Sequence, residues 1–93
     1  MAEAPITSRA SKRFWRLLEA LPQNVQFQAH QTYLVWRDNP RHPSLHFKKL
    51  TGSKTRMSVR IGLHYRAIGE NTDYGIRWVW IGSHSNYDKL TRR

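Results

Sequence analysis

A chain of 93 residues without cysteine has room for one modest hydrophobic core, and it has neither a disulfide scaffold nor thiolate ligands for a metal. Hydrophobic residues make up 39% of the chain and aromatic residues 12%, which excludes wholesale disorder. The 16 Lys and Arg residues outnumber the 6 Asp and Glu residues, so the net charge is +10. A surface of this sign attracts polyanions, and nucleic acid is the default partner.

The N-terminal part of the chain predicts a tail and then a helix. Residues 1–7 show no periodic pattern, so we expect a flexible tail there and a single domain over residues 8–93. Apolar residues then recur at helical spacing as far as Ala20. Either Ser8 or Ser11 is a good N-cap for this amphipathic helix.

A second helix is predicted immediately afterwards. Pro22 suits its first turn, and Asn39-Pro40 ends it because the residue before a proline avoids helical geometry. Two helices joined so closely should form an antiparallel hairpin. The second helix has an apolar stripe that we interpret as core, namely Val25, Ala29, Tyr33 and Trp36.

From residue 45 the apolar period changes from helical to alternating, which indicates strands. Residues 45–48 predict a short strand with a basic outer face. Residues 57–66 alternate for longer, as one long strand or as a hairpin that turns at Gly62–His64. The period alone does not decide between these two structures.

The remaining segments complete an α+β fold. Residues 69–75 are rich in turn formers and predict a loop. Residues 76–82 are apolar at successive positions, which predicts a central strand with helices packed over one side, followed by a short tail. We therefore expect two N-terminal helices packed on a three- to four-stranded antiparallel sheet.

The positive charge is concentrated in the middle of the chain, in the segment that contains several candidate residues for chemistry on a polyanion. Between Asn39 and Gly69 the chain has seven basic residues and no acidic one. RNA cleavage without a metal needs a base, an acid and cations, and His, Lys, Arg and Tyr can fill these roles. Carboxylates, which Mg²⁺ prefers, are nearly absent there, so we expect no metal and no cofactor. The candidates on strands or strand ends are His46, Lys48, Lys49, Arg60, His64, Arg66, His84 and Tyr87.

Each candidate also has a plainer structural explanation. Lys48-Lys49 is typical of a solvated strand edge, where lysine prevents pairing with another chain. The pattern alone does not decide whether His84 and Tyr87 cap the end of a strand or form a site. A basic surface without a specific partner and an acidic protein partner both remain open.

Other classes of function have no support in the sequence. The glycine-rich dinucleotide and phosphate loops, the serine-hydrolase elbow and the zinc-protease motif are all absent. No apolar run approaches the length of a membrane span, and the N-terminus lacks the apolar segment of a signal peptide. We expect a cytoplasmic protein with no membrane partner.

Three segments in order resemble the RelE/ParE superfamily of toxins from bacterial type II toxin–antitoxin modules. They are "LPQNVQFQAHQTYLVWRDNPRHPSLHFKKL" (21–50), "SVRIGLHYRAIG" (58–69) and "WVWIGSHSNYDKL" (78–90). The similarity covers nearly the whole chain from Phe14 to Leu90. It rests on the ordered set of segments and not on any one of them.

The resemblance implies a small basic toxin that an acidic antitoxin neutralises. Many members are mRNA interferases, endoribonucleases that cut mRNA in the ribosomal A site without a metal and so stop translation and growth. The ParE-like branch instead poisons DNA gyrase by binding. A plain nucleic-acid-binding domain is a third alternative.

The resemblance also implies roles for individual residues. Arg66, in the "YR" dipeptide, matches the arginine that stabilises phosphate, and Arg60 lies where members place a basic residue on the second strand. His84 and Tyr87 match the region that supplies a basic group and an aromatic proton-transfer or stacking group. Ser58 stands where a second basic residue can occur, so the general base is unassigned. The expected nucleic-acid contacts are His46, Lys48, Lys49, Lys54, Arg56 and His64.

Overall fold

The computed structural model describes residues 8–73 and 75–91, and the predicted tail over residues 1–7 lies outside them. The described chain has an α+β arrangement, as expected, in which two consecutive helices precede four consecutive strands. The elements in chain order are β1 (Ser8–Ala10), α1 (Lys12–Glu19), α2 (Gln23–Asp38), a 3₁₀ helix (Pro43–Leu45), β2 (Lys48–Lys49), β3 (Arg56–Ile61), β4 (Tyr65–Thr72), β5 (Gly75–Ser83) and α3 (His84–Thr91). No described helix is both long enough and apolar enough to cross a bilayer.

The sheet has five strands in the order β1-β5-β4-β3-β2, and not the predicted three or four. Neighbouring strands are antiparallel except β1, which pairs with β5 in parallel. β1 has only three residues, too few for a recognisable alternation, and its pairing partner lies far along the chain. The prediction of a purely antiparallel sheet is therefore wrong at this edge.

The two N-terminal helices follow the sequence pattern. Ser11, not Ser8, is the N-cap of α1, since its Oγ accepts a hydrogen bond from the Phe14 backbone N–H at 3.0 Å. α2 begins directly after Pro22, and Trp36 near its end is 1% exposed. The Trp36 ring packs edge-on against that of Trp78 in β5, with 5.2 Å between ring centroids. This contact joins α2 to the sheet.

The long alternation of residues 57–66 is a hairpin, the second of the two alternatives. Ile61 in β3 pairs directly with Tyr65 in β4, and Gly62, Leu63 and His64 form the turn. Gly62 has φ +61, a conformation that side chains rarely adopt. Because the turn has three residues, the odd-numbered positions remain on one face of the sheet in both strands.

Three expectations about the later segments are wrong. Most of the predicted strand over residues 45–48 is a 3₁₀ helix and a turn, and β2 contains only Lys48–Lys49. The predicted loop over residues 69–75 is mostly strand, because β4 continues to Thr72 and β5 begins at Gly75. The expected short tail after β5 is the helix α3.

A bulge in β5 explains why its sequence is apolar at successive positions. Ile68 pairs with Trp80 and Gly69 with Trp78, so Val79 is the extra residue. Trp78 belongs to the core cluster beneath the helices, whereas Trp80 points to the opposite face and is still only 7% exposed. The buried core on the helix side contains Trp36, Leu45, Val59, Ile61, Ala67, Ile76, Trp78 and Ile81.

Candidate functional site

The sheet face turned away from α1 and α2 carries the basic residues, and we call it the open face. Val59, Ala67 and Ile81 are paired across β3, β4 and β5 and belong to the core, so their neighbours in each strand point to the other side. The open face is formed by Lys48, Arg56, Ser58, Arg60, Arg66, Ile68, Glu70, Arg77, Trp80 and Gly82.

Arg60 and Arg66 are directly paired across β3 and β4. The Arg60 Nε–H donates to the carbonyl of Gly62 at 3.0 Å, and Arg66 Nη1 donates to the carbonyl of Tyr65 at 2.8 Å. Each guanidinium has five N–H donors, so these bonds orient the group and leave donors for an anion. Two like charges held side by side in this way favour the binding of a phosphate between or above them.

His46 lies beside this pair. It follows the 3₁₀ helix, with φ 45 and ψ 43, and is not part of a strand. Its Nε2 is 3.4 Å from Nη1 of Arg60, so the turn brings the imidazole to the open face. The pairing of sheet residues alone does not predict this contact.

His84 and Tyr87 lie in the first turn of α3, and not on a strand end. The His84 backbone N–H donates to the carbonyl of His64 at 2.7 Å, which ties the start of α3 to the β3–β4 turn. The His84 and Tyr87 ring centroids are 6.4 Å apart. The His84 ring also contacts a carboxylate, with Nε2 at 3.3 Å from Oδ1 of Asp88.

Trp80 packs beside Tyr87 and over Gly82, and the sequence did not mark Trp80 or Gly82 as part of a site. The Tyr87 and Trp80 ring centroids are 6.4 Å apart. The Trp80 ring in turn lies over Gly82, the residue of β5 that pairs with Arg66. Tyr87 is therefore connected to the cross-strand pair of Arg60 and Arg66 through the packing of one tryptophan.

The remaining predicted contacts are spread around the sheet. Lys48 pairs with Ser58 and lies on the open face, whereas its neighbour Lys49 pairs with Met57, which packs against the core on the other side. Lys54 is exposed in the turn between β2 and β3. Arg56 forms an ion pair with Glu70, with 3.5 Å between Nε and Oε2.

The geometry thus joins one subset of the predicted residues. Arg60 pairs with Arg66 on one side and contacts His46 through its guanidinium, and His64, His84 and Tyr87 lie around the turn that closes the same hairpin. The sequence marked a turn at Gly62 but did not predict that the Gly62 carbonyl accepts a hydrogen bond from Arg60. Such a group of cations and imidazoles can bind a phosphodiester and transfer protons beside it.

Comparison with known proteins identifies relatives of this fold. The sequence model of the ParE-like toxin domain family matches residues 23–89. A comparison with curated proteins finds no match.

Several solved toxin structures superimpose on the chain. One is a chain of the RelB–RelE antitoxin–toxin complex from Methanococcus jannaschii, with 16% identity and a TM-score of 0.70, covering 88% of this chain and 96% of that chain. Another is the isolated E. coli RelE toxin, with 16% identity and a TM-score of 0.65, covering 96% of this chain and 98% of that chain. A chain of the E. coli DinJ–YafQ complex has 16% identity and a TM-score of 0.62, covering 86% and 94% of the two chains. At these identities the likeness shows a common fold.

Proposed function

The chain belongs to the ParE-like toxin domain family and has the fold of the RelE toxins, and from this premise we propose that it is a metal-independent endoribonuclease. Its substrate would be mRNA bound to the ribosome, so that its activity stops translation. One observation carries this proposal. Arg60 and Arg66 form a cross-strand pair on the open face, with an imidazole within hydrogen-bonding reach of one of them.

RNA cleavage requires stabilisation of the extra negative charge that develops on the phosphorus centre. Donors that are already oriented stabilise such charge best, because they need no reorganisation when the reaction occurs. The carbonyls of Gly62 and Tyr65 orient the two guanidinium groups in this way. In this proposal Arg60 and Arg66 stabilise the phosphate, and Lys48 is a further cation on the same face.

The proton-transfer and binding roles are assigned to the residues around that pair. His84 and Tyr87 act as acid, base or stacking groups, since both side chains lie in the turn of α3 that starts beside His64. The remaining basic groups bind RNA or the ribosome through phosphates. They are His46, Lys48, Lys54, Arg56 and His64, whereas Lys49 points to the other side of the sheet.

The partner that controls such a toxin would be an acidic antitoxin. The solved RelE and YafQ toxins occur in complexes with the antitoxins RelB and DinJ. A net charge of +10 on this chain favours association with a protein of opposite charge. We expect co-expression of a small acidic protein encoded next to this gene to restore growth.

The test is induced expression of the wild type and of two variants, Arg66→Ala and His84→Ala. We expect the wild type to arrest growth and to leave cleaved mRNA on ribosomes, and both variants to lose these effects while they remain folded. Arg13→Ala is the matched control, because Arg13 is exposed on α1 and its substitution removes one positive charge at a distance from the open face. Full toxicity of both site variants would contradict the catalytic roles.

Inhibition of DNA gyrase is the second candidate, and the match to the ParE-like family model favours it. A gyrase inhibitor acts by binding and needs a complementary surface but no proton-transfer group. The two functions differ in which process stops first after induction. Cleaved mRNA with intact DNA supports the nuclease, whereas early arrest of replication with gyrase-trapped DNA breaks supports the inhibitor.

A further inference from the structure

His46 occupies a backbone conformation that favours glycine. It is the residue that ends the 3₁₀ helix, with φ 45 and ψ 43, and among the described residues other than glycine no other has a positive φ. Glycine is the usual residue at such a left-handed helix end because it has no Cβ to clash. A histidine there costs about 1 kcal/mol or more of backbone strain. A side chain retained at this cost points to a role for the side chain itself.

The imidazole of His46 has a defined neighbour. Its Nε2 lies 3.4 Å from Nη1 of Arg60, whose Nε–H is bound to the Gly62 carbonyl. A guanidinium has donors and no acceptor, so the hydrogen bond requires a lone pair on Nε2. The contact therefore places Nε2, a ring nitrogen that can accept a proton, on the open face beside Arg60. The side chain is also exposed, so a substrate can reach it.

We propose that His46 is the general base of the site and not only a contact to RNA. This inference rests on the proposed endoribonuclease function. His46 Nε2 takes the proton of the 2′-hydroxyl, the 2′-oxygen forms a bond to phosphorus, and the bond from phosphorus to the 5′-oxygen breaks. The departing 5′-oxygen takes a proton from His84 or Tyr87. The products are a 2′,3′-cyclic phosphate and a 5′-hydroxyl, and solvent returns the proton from His46 to the acid.

The Arg60 contact gives the base a way to respond to substrate. A hydrogen bond from guanidinium to a phosphate oxygen is charge-assisted and stronger than one to a neutral imidazole. An RNA phosphate bound at the Arg60–Arg66 pair therefore competes for the Arg60 N–H groups and releases the lone pair of Nε2. The base becomes available when the phosphate is in place. Ser58 lies on the same face but is buried, and a serine hydroxyl is a weak proton acceptor.

The backbone conformation makes His46→Gly an unusually clean test. Glycine is better suited to φ 45 than histidine, so we expect this variant to fold with an unchanged or higher melting temperature. We expect kcat for cleavage of ribosome-bound mRNA to fall by about 10²–10⁴-fold, the usual contribution of a positioned base, with KM within about threefold of the wild type. Added imidazole should restore part of the rate.

Two further variants separate proton transfer from other roles. Asparagine tolerates the left-handed conformation and can accept a hydrogen bond from Arg60, but it cannot take up a proton, so His46→Asn should lose as much kcat as His46→Gly. His42→Asn is the matched control in the same loop, because asparagine can replace the cap that His42 Nδ1 provides to the Ser44 N–H, and it should cleave at the wild-type rate.

The outcomes discriminate between the possible explanations. Near wild-type activity of His46→Asn overturns the inference, because a hydrogen bond to Arg60 would then suffice. A loss confined to KM in His46→Gly overturns it as well and leaves His46 a binding residue. If the wild-type protein cleaves RNA and both His46 variants are fully active, this inference is overturned and the proposed function is not. A wild type that cleaves no RNA overturns the proposed function together with it.

Discussion

Gly82 leaves the space in which the Trp80 ring lies, and adding a single methyl group there should disturb both stability and the site. A Cβ at position 82 would be 2.6 Å from Cζ2 and 2.8 Å from Cη2 of Trp80. Carbon atoms in contact are normally about 3.5–4.0 Å apart, so the indole must move by about 1 Å in Gly82→Ala. Trp80 is 7% exposed, so a shift of its ring changes its contacts with the surrounding side chains.

The size of the effect follows from this overpacking. Inserting a methyl group into a packed core costs about 1–3 kcal/mol. For 93 residues the entropy of unfolding at the midpoint is about 0.2 kcal/mol/K, so Gly82→Ala should lower the melting temperature by about 5–15 °C. The Trp80 ring also contacts Tyr87, so the start of α3 should shift and toxicity should fall at a temperature at which the variant is still folded.

A double-mutant cycle in thermal or urea unfolding tests the mechanism. Trp80→Leu removes the ring atoms that collide with the new methyl group, so Gly82→Ala should cost at least about 1 kcal/mol less in that background. Trp78→Leu is the control, because Trp78 lies on the opposite face of β5. The losses of stability caused by Trp78→Leu and Gly82→Ala should therefore be additive within about 0.5 kcal/mol. If Gly82→Ala costs the same free energy of unfolding in the Trp80→Leu and Trp78→Leu backgrounds, the reasoning is refuted.

Three further predictions depend on the cap of α1, the register of β2 and the arginine pair. Ser11→Ala should lower the free energy of unfolding in urea by about 1 kcal/mol, because the Ser11 side chain caps α1. Ser11→Asp should keep the wild-type stability, because aspartate is also a good N-cap. Equal stability of the Ala and Asp variants would contradict the cap. If the chain binds RNA as proposed, Lys48→Gln should weaken that binding and reduce its dependence on salt more than Lys49→Gln, because of these two lysines only Lys48 lies on the open face. Equal effects of the two variants would contradict the register of β2. Arg66→Gln should raise the melting temperature at low ionic strength, because like charges paired across strands repel by about 0.2–1 kcal/mol. Added salt should reduce this gain. A lower melting temperature would show that Arg60 and Arg66 do not repel.

Local periodicity predicted the elements whose structure is determined by their own residues. The apolar stripes of α1 and α2 and the alternation of β3 required only the positions of apolar side chains in sequence. β1 required pairing with a strand more than sixty residues away, and no local pattern reports such pairing. α3 was missed because its eight residues are mostly polar and its apolar contacts are few.

The site was predictable to the extent that it follows strand register. Arg60 and Arg66 lie on alternating positions of a hairpin, so their pairing follows once the turn is placed at Gly62. The contact between His46 and Arg60 depends on a single left-handed residue, which the alternation of residues 45–48 concealed. The position of Trp80 depends on the bulge at Val79, and the sequence shows only two tryptophans with one residue between them.

Arg60, Arg66 and Gly82, which are paired across β3, β4 and β5, form an arginine row with features that destabilise a sheet. Two like charges are paired across strands, a glycine stands in a strand interior, and a histidine beside them has a glycine-like conformation. Aromatic packing on both sides of the sheet offsets these costs: Trp36 contacts Tyr33, Phe47 and Trp78 on the helix side, and Trp80 contacts Tyr87 on the other. If the row served only the fold, substitutions that relieve its strain would be neutral for function. If it binds a phosphodiester, the same substitutions should stabilise the protein and reduce its activity, because the positive charges that repel each other are also the charges that attract the anion.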